Sequence, residues 1–193
     1  MKKNRIILSL AVVLWLTSSV SAATIDRIAV RSEAMKKEIP VVVIVPDAAK
    51  SGVRMPVLYL LHGYSGDQET WLNVKPSLPQ MADRDSVIVV CPDGENSWYW
   101  DSPKDPSSRF ETFVARELID YVDAHYPTRG DRSGRAITGL SMGGHGGLWL
   151  SFRPKDTDRR AAAWISVLSP RTGKWPNSSA RRRPIARRGT TIR

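Results

Sequence analysis

Apolar positions follow two periods along this chain, and each period predicts one type of element. Alternating or continuous apolar runs predict β-strands at residues 25–30, 39–45, 56–61, 87–91 and 135–138. From Phe110 to His125 apolar residues recur every three or four positions, which predicts a helix of about four turns that Pro127 ends. A second helix-competent run covers residues 144–152. Strands that alternate with helices predict an α/β fold with a mostly parallel sheet flanked by helices.

The first 22 residues have a different pattern. Lys2, Lys3 and Arg5 precede an apolar run at residues 6–16, and small residues at positions 20–22 offer a cleavage site. This arrangement is typical of a secretory signal peptide, and the apolar run is too short to span a bilayer comfortably. We therefore expect a secreted or periplasmic protein that meets a membrane only through this peptide during export.

Length and composition limit the class of protein. A chain of 193 residues suits one domain, and 41% hydrophobic with 25% charged residues excludes a disordered chain and a polytopic membrane protein. The single cysteine, Cys91, excludes a disulfide framework and a multi-cysteine zinc site. We expect neither a metal nor an organic cofactor.

The net charge of +10 belongs to the last 41 residues, where 12 basic residues face only Asp156 and Asp158. From Arg153 onward the strand and helix periods fail, apart from a short apolar run at 161–168, and no packed element is expected after about residue 170. We therefore divide the chain into a signal peptide (1–22), a domain (23–157) and a basic tail (158–193). The tail could bind phosphates or anionic lipid, or could be solvated without a role. Nucleic acid is not an expected partner, because no aromatic residues are interleaved with the arginines.

Residues 139–143 read Gly-Leu-Ser-Met-Gly and lie between a predicted strand and a predicted helix. This is the arrangement of a nucleophile elbow, in which a sharp turn holds the serine in a strained conformation. Gly139 and Gly143 would let neighbouring backbone approach closely. Ser141 would then lie at the carboxyl edge of the sheet, over a helix N-terminus that favours negative charge. The alternative is a glycine-rich turn with no catalytic role.

His62 and Gly63 follow the strand predicted at residues 56–61. In α/β-hydrolases the loop after this strand supplies one backbone amide of the oxyanion hole, and the residue after the nucleophile supplies the other. The predicted donors are the N–H groups of Tyr64 and Met142. His62 is expected to shape the loop through hydrogen bonds rather than to carry a proton.

Four segments together resemble a known family: residues 59–63, 91–94, 97–99 and 139–147. The chain resembles, over about residues 24–152, the esterases of the α/β-hydrolase superfamily that include S-formylglutathione hydrolase (esterase D), tributyrin esterase, secreted feruloyl and acetyl-xylan esterases, and the mycolyltransferases. The resemblance implies that Ser141 is the nucleophile. It also implies that the substrate is a carboxylic ester or thioester.

The sequence departs from that family in the rest of the catalytic triad. The superfamily order is serine, acid and histidine, yet no histidine follows His145. His145 is expected to pack locally on the elbow helix, and Asp156 and Asp158 are too close to the elbow to follow a later strand. A serine without its base is a poor nucleophile. We therefore expect an incomplete α/β-hydrolase fold that lacks its C-terminal strands and an esterase that is inactive or impaired.

The basic tail offers a reason for this departure. With suitable synonymous codons, residues 164–170 read in another frame give Met-Asp-Ile-Arg-Pro-Phe-Pro. A similar stretch follows the elbow helix in the esterases that this chain resembles. Residues from about 158 onward are therefore interpreted as out-of-frame translation.

Trp98, Tyr99 and Trp100 lie in the loop after the strand that ends at Cys91. They could form a wall for a sugar or aryl ester, or they could pack a long loop onto the domain. Three functions stay open: a secreted serine carboxylesterase that forms an acyl-enzyme on Ser141, an active esterase with an unusual base, and a non-catalytic protein that binds a carbohydrate or another ligand. For the esterase, the partner is a small-molecule or carbohydrate ester.

Overall fold

The computed structural model of the protein describes residues 23–152. The predicted signal peptide and the predicted basic tail lie outside the described residues, as does the end of the predicted domain after Phe152. In the described part, no helix has the length and apolar character that a membrane crossing requires.

Five strands form one sheet in the order β1-β2-β4-β3-β5. Their bounds are Thr24–Ser32 (β1), Lys37–Val45 (β2), Val57–Leu61 (β3), Ile88–Pro92 (β4) and Arg135–Gly139 (β5). Strands β4, β3 and β5 are parallel neighbours, whereas β2 is antiparallel to β1 and to β4. Every predicted strand is present, and the α/β class with a mostly parallel strand direction is confirmed.

The helices are Thr70–Val74 (α1), Leu78–Asp85 (α2), Phe110–Thr112 (α3), Leu118–His125 (α4) and Met142–Phe152 (α5). A π-helical turn, Phe113–Glu117, joins α3 to α4. The predicted four-turn helix is therefore present, but one of its turns is wider than an α-helical turn. Short 3₁₀ turns lie at Asp47–Ser51 and Arg132–Gly134. Sequence analysis missed α1 and α2 because helices of five and eight residues show too few turns to establish a period.

Helices cover both faces of the sheet, which explains its continuous apolar strands. Side chains of β2 alternate between the two faces: Val43 packs with the buried aromatic rings of the α3–α4 helix, whereas Ile44 packs with Trp71 of α1. Strand β4 divides its side chains in the same way. Within the described residues β5 pairs only with β3, so the elbow that follows β5 lies beside the loop that follows β3.

Candidate active site

Ser141 lies in the abrupt turn between β5 and α5, with a left-handed φ of +52°. A Cβ on Gly143 would lie 2.3 Å from the carbonyl oxygen of Leu61, and a Cβ on Gly139 would lie 2.4 Å from the carbonyl carbon of Gly143. Both distances are far below a normal contact, so the turn needs glycine at both positions. Ser141 is exposed to solvent at the N-terminal end of α5. The local geometry is that of a nucleophile elbow.

The loop after β3 touches this turn. A Cβ on Gly63 would lie 3.3 Å from the carbonyl oxygen of Leu140 and 3.7 Å from Cβ of Ser141. Within the described residues, neither the Tyr64 amide nor the Met142 amide donates a hydrogen bond to protein. Both backbone N–H groups are therefore available to a bound anion, as the donors of an oxyanion hole must be.

His62 holds the loop after β3 (residues 62–66, hereafter the oxyanion loop) to the loop after β4. Its buried ring accepts a hydrogen bond at Nε2 from the Gly94 amide at 2.7 Å, and its Nδ1 lies 2.7 Å from the Gly63 carbonyl oxygen. An amide can only donate, so Nε2 carries no proton and Nδ1–H donates to the carbonyl. Both ring nitrogens are thus engaged by backbone, and His62 shapes the loop.

Two further residues that sequence analysis did not single out support the same loop. The indole Nε1 of Trp71 donates to the Leu61 carbonyl oxygen at 3.1 Å, and this oxygen also accepts from the Leu140 amide at 3.2 Å. Asn96 Oδ1 accepts from the Ser65 amide at 2.8 Å. Neither residue belongs to a motif, because each acts through a contact between distant parts of the chain.

The three aromatic residues 98–100, in the loop after β4, lie in two different environments. Trp98 and Trp100 are 44% and 46% exposed and flank His145 edge to face, with ring centroids 5.5 and 5.4 Å from it. Tyr99, in contrast, is fully buried against Gly94 and Gly146. The sequence prediction that Tyr99 lines the substrate site is therefore wrong, because its side chain is enclosed by backbone; Trp98 and Trp100 remain accessible.

The rings of the other two histidines pack against aromatic side chains. His145 lies among three tryptophan rings, since Trp149 stacks on it from the next turn of α5 at 6.3 Å. His125 stacks on Tyr121 at 4.0 Å, and its Nδ1 contacts the Tyr121 carbonyl. In the described part of the chain no imidazole hydrogen-bonds the Ser141 hydroxyl.

Two further observations concern the reactivity of Cys91 and the possibility of a metal site. Burial raises the pKa of the Cys91 thiol, which keeps it in the unreactive protonated form. Among the described residues, no three potential metal ligands gather in one place.

Backbone strain is concentrated around the elbow. Of the seven non-glycine residues with positive φ in the described part, five lie in the three loops that follow β3, β4 and β5: Ser65, Glu95, Trp98, Tyr99 and Ser141. Such conformations cost free energy and persist only where the surrounding structure enforces them, as it commonly does at active sites.

Comparison with known proteins agrees with this geometry. Residues 32–192 match the model of the Esterase family. The chain belongs to this family. The resemblance inferred from the motifs is thereby confirmed, and the family fold is of the α/β-hydrolase type.

Curated relatives include an acetyl esterase of Caldicellulosiruptor saccharolyticus, 38% identical over 94 residues that make up 49% of this chain and 35% of that protein. An esterase of Mycobacterium tuberculosis is 33% identical over 110 residues, which are 55% of this chain and 24% of that protein. The chain thus spans about a third or less of the length of these relatives.

Solved structures give the same fold. An S-formylglutathione hydrolase from Agrobacterium tumefaciens superposes with a TM-score of 0.60 at 25% identity, covering 68% of this chain and 56% of that one. A ferulic acid esterase superposes with a TM-score of 0.57 at 29% identity, covering 65% and 51% of the two chains. The described domain therefore corresponds to about half of each enzyme.

Proposed function

We propose that this protein derives from serine carboxylesterases and that Ser141 attacks the carbonyl carbon of an ester or thioester. The hydroxyl oxygen would form a bond to that carbon, the alcohol or thiol would leave with a proton, and water would then hydrolyse the acyl-enzyme. The observations that carry the proposal are the left-handed Ser141, the contact between its turn and the loop after β3, and the Tyr64 and Met142 amides, which have no acceptor in the described part. These amides would stabilise the negative oxygen of the tetrahedral intermediate.

Trp98 and Trp100 extend the same edge of the domain with exposed aromatic faces. Aromatic faces bind both aryl groups and the apolar faces of sugars. We therefore propose that they line the side of the site that receives the acyl or alcohol group. Two of the similar proteins are an acetyl esterase and a ferulic acid esterase, which supports short or aromatic acyl esters as the first substrates to test.

We propose further that the 193-residue chain reacts slowly. All three of its histidines lie in the described part, where both ring nitrogens of His62 are engaged by backbone and no imidazole hydrogen-bonds the Ser141 hydroxyl. With oxyanion donors but no base, the reaction is still faster than in water alone, but its rate is orders of magnitude below that of a complete triad.

Covalent labelling tests the nucleophile. The purified chain is incubated with a fluorophosphonate, and the modified residue is located by mass spectrometry; we expect slow labelling of Ser141 that is lost in Ser141→Ala. Ser151→Ala is the matched control, because Ser151 lies on the same helix with its hydroxyl bound to the Gly147 carbonyl. Equal labelling of the wild type and Ser141→Ala would refute the assignment. No labelling at all would favour a non-catalytic ligand-binding protein.

Hydrolysis of p-nitrophenyl acetate tests the missing base. Added free imidazole is expected to accelerate turnover by the wild type and to have no such effect on Ser141→Ala beyond the solution rate. Fast turnover without imidazole that disappears in His145→Ala would instead identify His145 as an unusual base.

We also propose that the protein is exported, because residues 1–22 have the charge, apolar run and small residues of a signal peptide. N-terminal sequencing of protein recovered from the periplasm or medium is expected to begin at Ala23. Recovery of uncleaved chain in the cytoplasm alone would contradict export.

A further inference from the structure

Tyr99 lies where three parts of the candidate site meet. A Cβ on Gly94, in the loop after β4, would be 2.3 Å from Cε1 of the Tyr99 ring. A Cβ on Gly146, on α5, would be 2.4 Å from Cδ2 of the same ring. The ring therefore fills a slot between two backbones, and any larger residue at either glycine would displace it.

The hydroxyl of Tyr99 reaches the third part, the oxyanion loop. It donates a hydrogen bond to the carbonyl oxygen of His62 at 3.3 Å, and the two rings meet edge to face at 5.9 Å. That carbonyl also faces the start of α5, since a Cβ on Gly143 would be 2.6 Å from it. The His62 carbonyl is thus enclosed between the Tyr99 hydroxyl and the elbow helix.

The loop is held in a costly conformation to make this contact. Trp98 and Tyr99 have consecutive left-handed φ angles of +56° and +59°. The Ser97 hydroxyl stabilises this turn, because its oxygen accepts from the Tyr99 amide at 3.0 Å and it donates to the Gly94 carbonyl at 2.6 Å. Strain of this kind is retained where the conformation serves a site. Burial raises the pKa of the Tyr99 hydroxyl, so it stays protonated and able to donate.

We propose that Tyr99 is a positioning residue for the oxyanion hole: its hydroxyl holds the His62 carbonyl and thereby orients the following residues, so that the Tyr64 amide points at the oxygen developing beside Ser141. This inference rests on the proposed function. Tyr99 would act through the backbone of the oxyanion loop rather than through contact with substrate.

The test compares Tyr99→Phe with Tyr126→Phe. Tyr126 also donates a 3.3 Å hydrogen bond, to Asp26 Oδ2 at a partly buried position, so each variant loses one tyrosine hydroxyl and one hydrogen bond of the same length. Each protein is labelled with the same fluorophosphonate, and the ³¹P chemical shift of the Ser141 adduct is recorded in the native and the denatured state. Hydrogen bonds from the oxyanion amides polarise the phosphoryl oxygen, and the native shift reports them.

We expect the native shift of Tyr99→Phe to move toward the denatured value, whereas Tyr126→Phe keeps the wild-type shift. Gly146→Ala, which pushes the ring from the helix side, is a second variant and is expected to move the shift in the same direction. A wild-type shift in both Tyr99→Phe and Gly146→Ala would overturn the proposal.

Hydrogen exchange of the oxyanion loop distinguishes this inference from the proposed function. If the wild type is not labelled, the proposed function fails, and amide exchange of residues 62–66, measured by mass spectrometry, then decides the positioning role. Faster exchange there in Tyr99→Phe than in Tyr126→Phe supports it. Equal exchange in the two variants overturns it.

Discussion

Replacing Gly143 by alanine tests whether the close packing of the elbow is as tight as its geometry indicates. The added Cβ would lie 2.3 Å from the Leu61 carbonyl oxygen and 2.6 Å from the His62 carbonyl oxygen. Both neighbours are backbone atoms at the end of β3, so neither can rotate away, and the strand end or the helix must move. Overpacking of this kind costs about 1–3 kcal/mol.

Gly147 provides the matched control on the same helix. A Cβ there would meet Cα of Thr138 at 3.4 Å, which is an ordinary van der Waals contact. Alanine is favoured over glycine in a helix by about 1 kcal/mol, and this gain applies to both substitutions. Gly147→Ala should therefore stabilise the protein by up to about 1 kcal/mol, whereas Gly143→Ala should destabilise it by up to about 2 kcal/mol.

Denaturant unfolding followed by tryptophan fluorescence and circular dichroism measures this difference. The two variants should differ by about 1–3 kcal/mol in the free energy of unfolding, because the helix gain is common to both, with the same dependence on denaturant concentration. In thermal unfolding this corresponds to a separation of midpoints of roughly 2–12 °C. Equal stability of the two variants, or a more stable Gly143→Ala, would refute the packing argument.

Three further predictions concern the sheet and its supports. Asp123→Ala should destabilise the protein by about 2–3 kcal/mol in denaturant unfolding, because it removes a carboxylate that pairs with the buried Arg135 guanidinium; the loss is below that of a fully buried pair because Asp123 is 25% exposed. Arg27→Ala should leave the unfolding midpoint nearly unchanged in the same assay, since its ion pair with Glu69 is at the surface. Cys91 should resist iodoacetamide at pH 8 in the native protein and react readily in denaturant, as followed by intact mass, because burial raises its thiol pKa; rapid native alkylation would contradict this.

The elements of this fold were predictable where the sequence carries a long or strong period. All five strands and the helix from Phe110 to His125 follow from apolar patterns, since a sheet covered on both faces requires apolar side chains throughout its strands. The π-helical turn Phe113–Glu117 was not predictable, because its apolar spacing still fits an α-helix. The position of β4 between β2 and β3 was not predictable either, because it depends on pairing between segments that are distant in the sequence.

The candidate site divides in the same way. The Gly-x-Ser-x-Gly pattern between a predicted strand and a predicted helix indicated the strained Ser141 and the need for two glycines, because a strand that turns directly into a helix restricts those positions through local backbone geometry. The role of Tyr99 depended on the tertiary structure. Its sequence neighbours, Trp98 and Trp100, are accessible, and only the approach of Gly94 and Gly146 from other elements encloses the ring between them. Local sequence determines which conformations a turn can adopt, whereas burial depends on which distant backbones come together, and a pattern along the chain does not contain that information.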